Sequence, residues 1–502
     1  MRIRHRALLV PIVVLAAACG TSHAPTGTPC PSDTPSSAPP PQASASAGSG
    51  APPTTESETP TSFDVAAIDA WIAMQLKKRD LIGLSVAIAH EGKIVLAKGY
   101  GKTSVEADVP VSSDTAFAIG SVTKQLTCAS VLALADAGKL SLSDKVAKWF
   151  PDLTRANDIT LDDVLSHVAG YPDYYPLDFV DARMAKATTA SEVVREYGKR
   201  PLDFEPRTRF SYSNTGFLLA GVVVAKVSGE SFASFVKKKV FEPLEMKHAS
   251  LEAKTLTDVA TGHTAFQMGD AEVATPEAAG WLEAAGAAYA TAGDLARWDL
   301  GLIEHKVLTP KSYELMTTPR RLADGTPVPY ACGLSVGQRS GETILQHNGA
   351  VSGFLAYNAM IPRTRSAVIV LSNAEHVDAR SIHSEIVTLL AKAHDTRRPL
   401  TVAGDSPAQA ARELFRQMQK GAIDRAKLGA EFNAFMTDAK VKAAAPRLDA
   451  LGEPLSVDVE DVGERGGAQN ASVRMKFKSR NVRAILHRTP DGKVQQFLLF
   501  KQ

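Results

Sequence analysis

Ala116-Phe-Ala-Ile-Gly-Ser121-Val-Thr-Lys124-Gln-Leu-Thr-Cys-Ala-Ser-Val-Leu-Ala-Leu134 is the stretch on which the reading of this chain turns. Leu126, Val131, Leu132 and Leu134 recur at helical spacing, so the stretch opens a helix. An i, i+3 separation puts Ser121 and Lys124 on one face of it, one turn apart. A helix N-terminus offers free N–H groups and a dipole to a developing oxyanion, and a buried lysine can lose its proton near neutral pH. A neutral amine beside a hydroxyl is an activated nucleophile. Alone the pattern is weak, since about one or two chance S-x-x-K matches are expected in a chain of this size. One decoy is present, Ser234-Phe-Val-Lys237 in a lysine-rich surface stretch.

Downstream, two further elements fit the same chemistry. Tyr212-Ser-Asn214 lies in Arg209-Phe-Ser-Tyr-Ser-Asn-Thr-Gly-Phe217; a phenol can shuttle a proton and an asparagine can hold a substrate amide. Read by itself, Ser-Asn-Thr-Gly is turn chemistry. His347-Asn-Gly349 is followed by Ala350-Val-Ser-Gly-Phe354; the imidazole can donate a proton or bind a carboxylate, and Gly349 lets substrate lie against a strand. His90-Glu-Gly92 is a chance match to the same pattern.

The order Ser-x-x-Lys, Tyr-x-Asn, His-x-Gly resembles the serine β-lactamase and D-alanyl-D-alanine carboxypeptidase family, in the branch of class C β-lactamases, esterases and D-aminopeptidases. Ile159-Thr-Leu-Asp-Asp-Val-Leu-Ser-His167-Val-Ala-Gly170-Tyr-Pro-Asp173 and Ala285-Gly-Ala-Ala-Tyr-Ala-Thr-Ala-Gly-Asp294-Leu-Ala-Arg-Trp298 are also similar to that family, and the likeness runs over about 62–395. It implies an acyl-enzyme on Ser121, with Lys124 and Tyr212 sharing the base and relay roles. It implies further that Asn214 binds the substrate amide, that the N–H groups of Ser121 and Ala350 form an oxyanion hole, and that His347 and Gly349 lie on the strand lining the site. No metal or organic cofactor is implied. The departure is His347, where most β-lactamases of this branch have lysine. A mostly neutral imidazole holds a carboxylate less firmly, which shifts weight from β-lactam hydrolysis toward a D-amino-acid peptidase, carboxypeptidase or esterase. The branch of β-lactamases proper and a ligand-binding member without turnover stay open as alternatives. His167 is expected to be structural. H-E-x-x-H and G-x-S-x-G are absent, which removes zinc-hydrolase and α/β-hydrolase readings.

The rest of the 502 residues frames this unit. Apolar residues make up 44% and charged residues 22%, and 56 basic against 54 acidic side chains leave +2. That balance gives no reason to expect a nucleic-acid partner, while the resemblance implies a small-molecule or peptide substrate. Arg2, Arg4 and Arg6 precede the apolar run Ala7–Ala18, a secretory leader too short to span a bilayer. Leu15-Ala-Ala-Ala-Cys19-Gly20 resembles a bacterial lipobox with Ala16 at the usual leucine; the competing reading is cleavage near Ala18 without a lipid. The Ser/Thr/Pro/Ala/Gly-rich stretch of 20–61 reads as a disordered tether behind Cys19, so the expected place is the bacterial envelope, across the inner membrane and lipid-anchored.

Within 62–395 a helix is expected from Thr61-Ser62, then a hairpin about His90-Glu-Gly-Lys93. A helical middle runs from about 114 to 310, strands return at Tyr330–Val336, Ile344–Gln346, Gly353–Met360 and Ala367–Leu371, and a helix covers Asp378–Lys392. Strands at both ends with helices between make an α+β fold: an antiparallel sheet flanked by helices plus a helical subdomain. Thr396-Arg-Arg-Pro399 marks a boundary, and 405–502 reads as a small α+β domain ending in a hairpin over Pro490-Asp-Gly492. Cys128 and Cys332 are isolated and read as small buried apolar residues.

Overall fold

A computed structural model describes residues 59–177, 179–393 and 401–501. The leader, Cys19, the tether up to residue 58 and the boundary at Thr396–Pro399 lie outside the described residues. In chain order the strands of the first part are β1 (Gly83–His90), β2 (Lys93–Gly101), β3 (Phe117–Ala118), β4 (His263–Thr264), β5 (Glu272–Val273), β6 (Tyr289–Ala290), β7 (Ser335–Arg339), β8 (Glu342–Val351), β9 (Phe354–Ile361) and β10 (Ser366–Ser372). Six of them form one antiparallel sheet in the order β2-β1-β10-β9-β8-β7. β3 pairs with β6 and β4 with β5.

β1, Gly-Leu-Ser-Val-Ala-Ile-Ala-His, is buried along almost its whole length because both faces of the sheet are covered. Leu84, Val86 and Ile88 join Val368 and Val370 in one apolar core against α1 (Val65–Lys78) and α10 (Arg380–Ala393). The alternate positions Ala87, Ala89, Ala367, Ile369 and Leu371 enter the other core, which the helical part of the chain fills. The β1–β2 turn takes positive φ at both Glu91 (51°) and Gly92 (80°), the handedness that suits a two-residue hairpin loop.

The first helix starts two residues later than expected: Asp64, rather than Thr61 or Ser62, is its N-cap and accepts from Ala67 N at 2.8 Å. Tyr330–Leu334 does not extend β7, whose pairing with β8 begins at Ser335.

Helices α2 (Thr123–Asp136), α3 (Leu161–Leu165), α4 (Ala190–Gly198), α5 (Asn214–Ser228), α6 (Phe232–Val236), α7 (Glu283–Gly286), α8 (Ala292–Ile303) and α9 (Pro310–Thr317) make the helical side. α2 is buried on nearly every face, including Thr123, Lys124, Gln125 and Thr127. Cys128 on α2 and Cys332 ahead of β7 are buried, as expected of them, and joined in a disulfide across 204 residues of chain. Isolation in sequence concealed the pair because only the tertiary fold brings their Cα atoms to 5.8 Å.

Residues 401–501 build α11 (Pro407–Gln419), α12 (Ala430–Phe435), α13 (Asp438–Asp449) and a sheet ordered β11-β12-β13-β14 from Ser456–Arg465, Ala468–Lys476, Asn481–Arg488 and Val494–Lys501. Leu414, Phe415, Phe432, Val473, Leu486 and Phe497 close a third core made only from this stretch.

Candidate active site

Ser121 stands in a 3₁₀ turn, Gly120–Val122, that leads directly into α2. Gly120 holds φ at +49°, and a Cβ there would come within 2.8 Å of Ala350 N. A Cβ on Gly349 would stand 2.0 Å from Ile119 O and 3.1 Å from Ser121 N. The two glycines therefore let the backbone of β8 lie flush against the turn that carries Ser121. β7 pairs with β8 only up to Ser335–Gln346, so the stretch from His347 to Val351 keeps one edge free of β7. That edge faces the turn of Ser121, with Ala350 N close to Gly120, where the resemblance expects the oxyanion hole.

Lys124 is fully buried, with Nζ 2.9 Å from Ser121 Oγ, 2.8 Å from Asn214 Oδ1 and 2.7 Å from Ala285 O. Burial lowers its pKa to about 7, against the opposing charge of Asp173. When neutral, Nζ has two hydrogens for the Asn214 and Ala285 oxygens and one lone pair for the Ser121 hydroxyl. Tyr212, on the approach to α5, donates its O–H to Ser121 Oγ at 2.8 Å. Burial raises the pKa of that phenol, so it keeps its proton through the neutral range. The Lys124 amine also lies 4.9 Å from the centre of the Tyr212 ring.

His347, on β8, is buried with its ring 6.2 Å from that of Tyr212. Nδ1 is 2.6 Å from Asn348 O, a group that can only accept, so Nδ1 carries the hydrogen. Nε2 is then the acceptor, and the Tyr330 O–H fills it at 2.9 Å. Desolvation, reinforced by Lys124, depresses the imidazole pKa to about 3, which makes it neutral at every physiological pH. The structure thus brings Ser121, Lys124, Tyr212, Asn214, His347, Gly349 and Ala350 into one place, and leaves Cys19 outside the described residues.

The profile of the Beta-lactamase family matches residues 68–391. The chain belongs to the β-lactamase family. It is 28% identical over 309 residues to a D-aminopeptidase of Gluconobacter oxydans, an overlap of 60% of this chain and 57% of that protein. It is 28% identical over 311 residues to penicillin-binding protein 4* of Bacillus subtilis, covering 58% of this chain and 68% of the relative. The chain thus spans less than two thirds of the D-aminopeptidase. In fold it is similar to the octameric penicillin-binding protein homologue from Pyrococcus abyssi, with TM-score 0.59, 22% identity and coverage of 88% of this chain and 100% of the other. D-amino acid amidase from Ochrobactrum anthropi aligns at TM-score 0.56 and 23% identity over 66% of this chain and 98% of its own.

Around the residues that mark the β-lactamase family, the structure adds others that pattern reading did not select. Asp173 Oδ1 accepts from the N–H groups of Asn214 (3.0 Å) and Tyr175 (3.1 Å), and its Oδ2 from Asn214 Nδ2 (3.2 Å). Asn214 is thereby turned with its oxygen toward Lys124, and both ends of the amide expected to bind substrate are engaged within the protein. Asp173 lies inside a family-like segment of the sequence, so a signal existed. Tyr330 had none, since it sits in a loop between helix and strand. His167 is buried, accepts from Ser213 N–H at 3.1 Å, and packs against Tyr212 (4.3 Å) and Tyr330 (4.7 Å). That position steadies both phenols, in keeping with the structural role expected for it.

Proposed function

We propose that this chain is an acyl-enzyme hydrolase of the bacterial envelope that cleaves amides or esters bearing no carboxylate next to the scissile bond, as a D-aminopeptidase or esterase does. The observation that carries this reading is His347: neutral, buried and closed by Tyr330, it offers no cation to a substrate carboxylate. A neutral imidazole holds a substrate carboxylate less firmly than a cation, which sets the β-lactamase reading back, and with Nε2 filled by Tyr330 the carboxypeptidase reading falls behind as well. The similarity to a D-aminopeptidase supports the same direction.

In the reaction, neutral Lys124 Nζ takes the Ser121 hydroxyl proton while Oγ attacks the carbonyl. The N–H groups of Ser121 and Ala350 receive the oxyanion. Tyr212 gives its proton to the departing nitrogen or oxygen and recovers one from Lys124 by way of the active-site hydrogen bonds. Water then adds to the acyl-enzyme carbonyl, giving its proton back through the same relay as Ser121 is released. The envelope reading rests on the leader, on Cys19 with its tether, and on a buried disulfide that suits an oxidising compartment.

Intact mass of the soluble chain with a penicillin and, separately, hydrolysis of D-phenylalanine p-nitroanilide and a p-nitrophenyl ester test the reading, each beside Ser121→Ala. Ser121-dependent turnover of the anilide or ester with slow or no penicillin loss supports it. Rapid Ser121-dependent penicillin loss would replace it with a β-lactamase.

A further inference from the structure

Glu277 belongs to the segment between β5 and α7. Its Oε1 accepts the phenol of Tyr175 at 2.8 Å and the amide N–H of Ser352 at 3.1 Å. These two donors come from the two chain segments that carry Asp173 and Ala350. Tyr175 lies two residues beyond Asp173, the carboxylate that holds Asn214, and Ser352 lies two residues beyond Ala350. Glu277 therefore ties the loop behind Asn214 to the turn that ends β8. Its charge is felt there, since it adds to the upward pKa shifts of Tyr174 and Tyr289.

Three features make this carboxylate more than a latch. It is half-buried, and among the described residues no lysine, arginine or histidine forms an ion pair with it. Among the described residues both hydrogen bonds it receives fall on Oε1, and none falls on Oε2. His347, on β8 three residues before Ala350, offers no competing attraction for anions, because its own hydrogen bonds hold it neutral. A carboxylate so placed, partly removed from water and lacking a cation, favours a positively charged ligand group.

We propose that Oε2 of Glu277 receives the ammonium group of the substrate, so that this hydrolase selects acyl groups with a free amine: the N-terminal residue of a peptide or an amino-acid amide. Glu277 is a specificity residue in this reading, which rests on the hydrolase function proposed above and names its substrate class. Selectivity comes from the charge, while the Tyr175 and Ser352 bonds only aim the carboxylate.

The test uses binding, so that it does not depend on turnover. Affinities of the full chain carrying Ser121→Ala for D-phenylalanine amide and for N-acetyl-D-phenylalanine amide are measured by calorimetry, with and without Glu277→Gln. That substitution keeps an oxygen acceptor for Tyr175 and Ser352 but removes the charge. The free amine is expected to bind at least about tenfold more tightly than the acetylated ligand, and Glu277→Gln to remove that advantage while leaving the acetylated ligand unchanged. Equal weakening of both ligands assigns Glu277 a purely structural part and overturns the proposal. So does the absence of a preference in the protein that retains Glu277, or no binding of the amine at millimolar concentration. A protein that prefers the amine but shows no Ser121-dependent turnover would sink the hydrolase reading and leave this one standing.

Discussion

Lys124 carries the largest chemical consequence of any single side chain here. With its pKa near 7, the amine proposed as general base is protonated as pH falls through that value, so kcat/KM for a p-nitrophenyl ester should drop on the acid side with a midpoint near pH 7. Asp173 holds that pKa up through its charge. Asp173→Asn should therefore move the acid limb to lower pH, and lower kcat as well, because Asn214 loses the acceptor that orients it. A drop in kcat with an unmoved limb would reduce Asp173 to a scaffold. Burial of the amine also costs stability. The folded pKa lies below the unfolded value of 10.5, so the unfolded chain binds the extra proton between those values and stability rises with pH across about 7 to 10.5. Lys124→Met should abolish turnover and raise Tm by a few degrees at pH 7, the gain shrinking toward pH 10; thermal melts of both proteins across that range check the sign.

At the level of elements, the site is a contact between β8 and the turn ahead of α2, and glycines make that contact possible. Gly349→Ala would drive a methyl into Ile119 O, pushing the Ala350 N–H away from Ser121, and should cost at least about a hundredfold in Ser121 acylation rate. Gly337→Ala, on β7 with open space around it, is the control and should be near silent in labelling with a fluorophosphonate probe. A second tie is the disulfide, which fastens the segment of Tyr330 to α2; Gly333 in that segment packs against the backbone of Lys124 and Gln125. Replacing both Cys128 and Cys332 by alanine should lower unfolding stability by about 2–5 kcal/mol in urea titrations. The sheet and its hairpins are legible in the sequence because β1, β2, β9 and β10 carry dense apolar runs broken by turn residues. Tyr330–Leu334 reads falsely as strand for the same reason: apolar residues in a short run do not reveal that Tyr330 packs on His167 and His347 and Gly333 on the start of α2 rather than on a neighbouring strand.

At the scale of the molecule, three apolar cores divide the work among the described residues. Two cover the faces of the six-stranded sheet and the third closes residues 411–497 by themselves. A chain ending at residue 393 should keep Ser121 labelling and unfold cooperatively, and residues 401–502 expressed alone should show a cooperative melt. Loss of labelling on truncation would make the last hundred residues part of the catalytic unit. The proposed tether at Cys19 is tested at the same scale: Cys19→Ala should shift the protein from the membrane to the soluble fraction of the envelope, and an unchanged distribution would remove the lipid anchor from the account.

The sequence alone determined the family and the α+β architecture, and it named Ser121, Lys124, Tyr212, Asn214, His347, Gly349 and Ala350 as one candidate group. It could do so because those features are local: residue types at short fixed spacings and periodic apolar runs. The tertiary structure decided what depends on groups distant in the chain. Full burial brings the Lys124 pKa to about 7, the Tyr330 hydroxyl closes His347, Asp173 orients Asn214, Cys128 meets Cys332, and Glu277 is held between Tyr175 and Ser352. Desolvation and hydrogen-bond partnership set the charge of each group, and both exist only once the chain has folded.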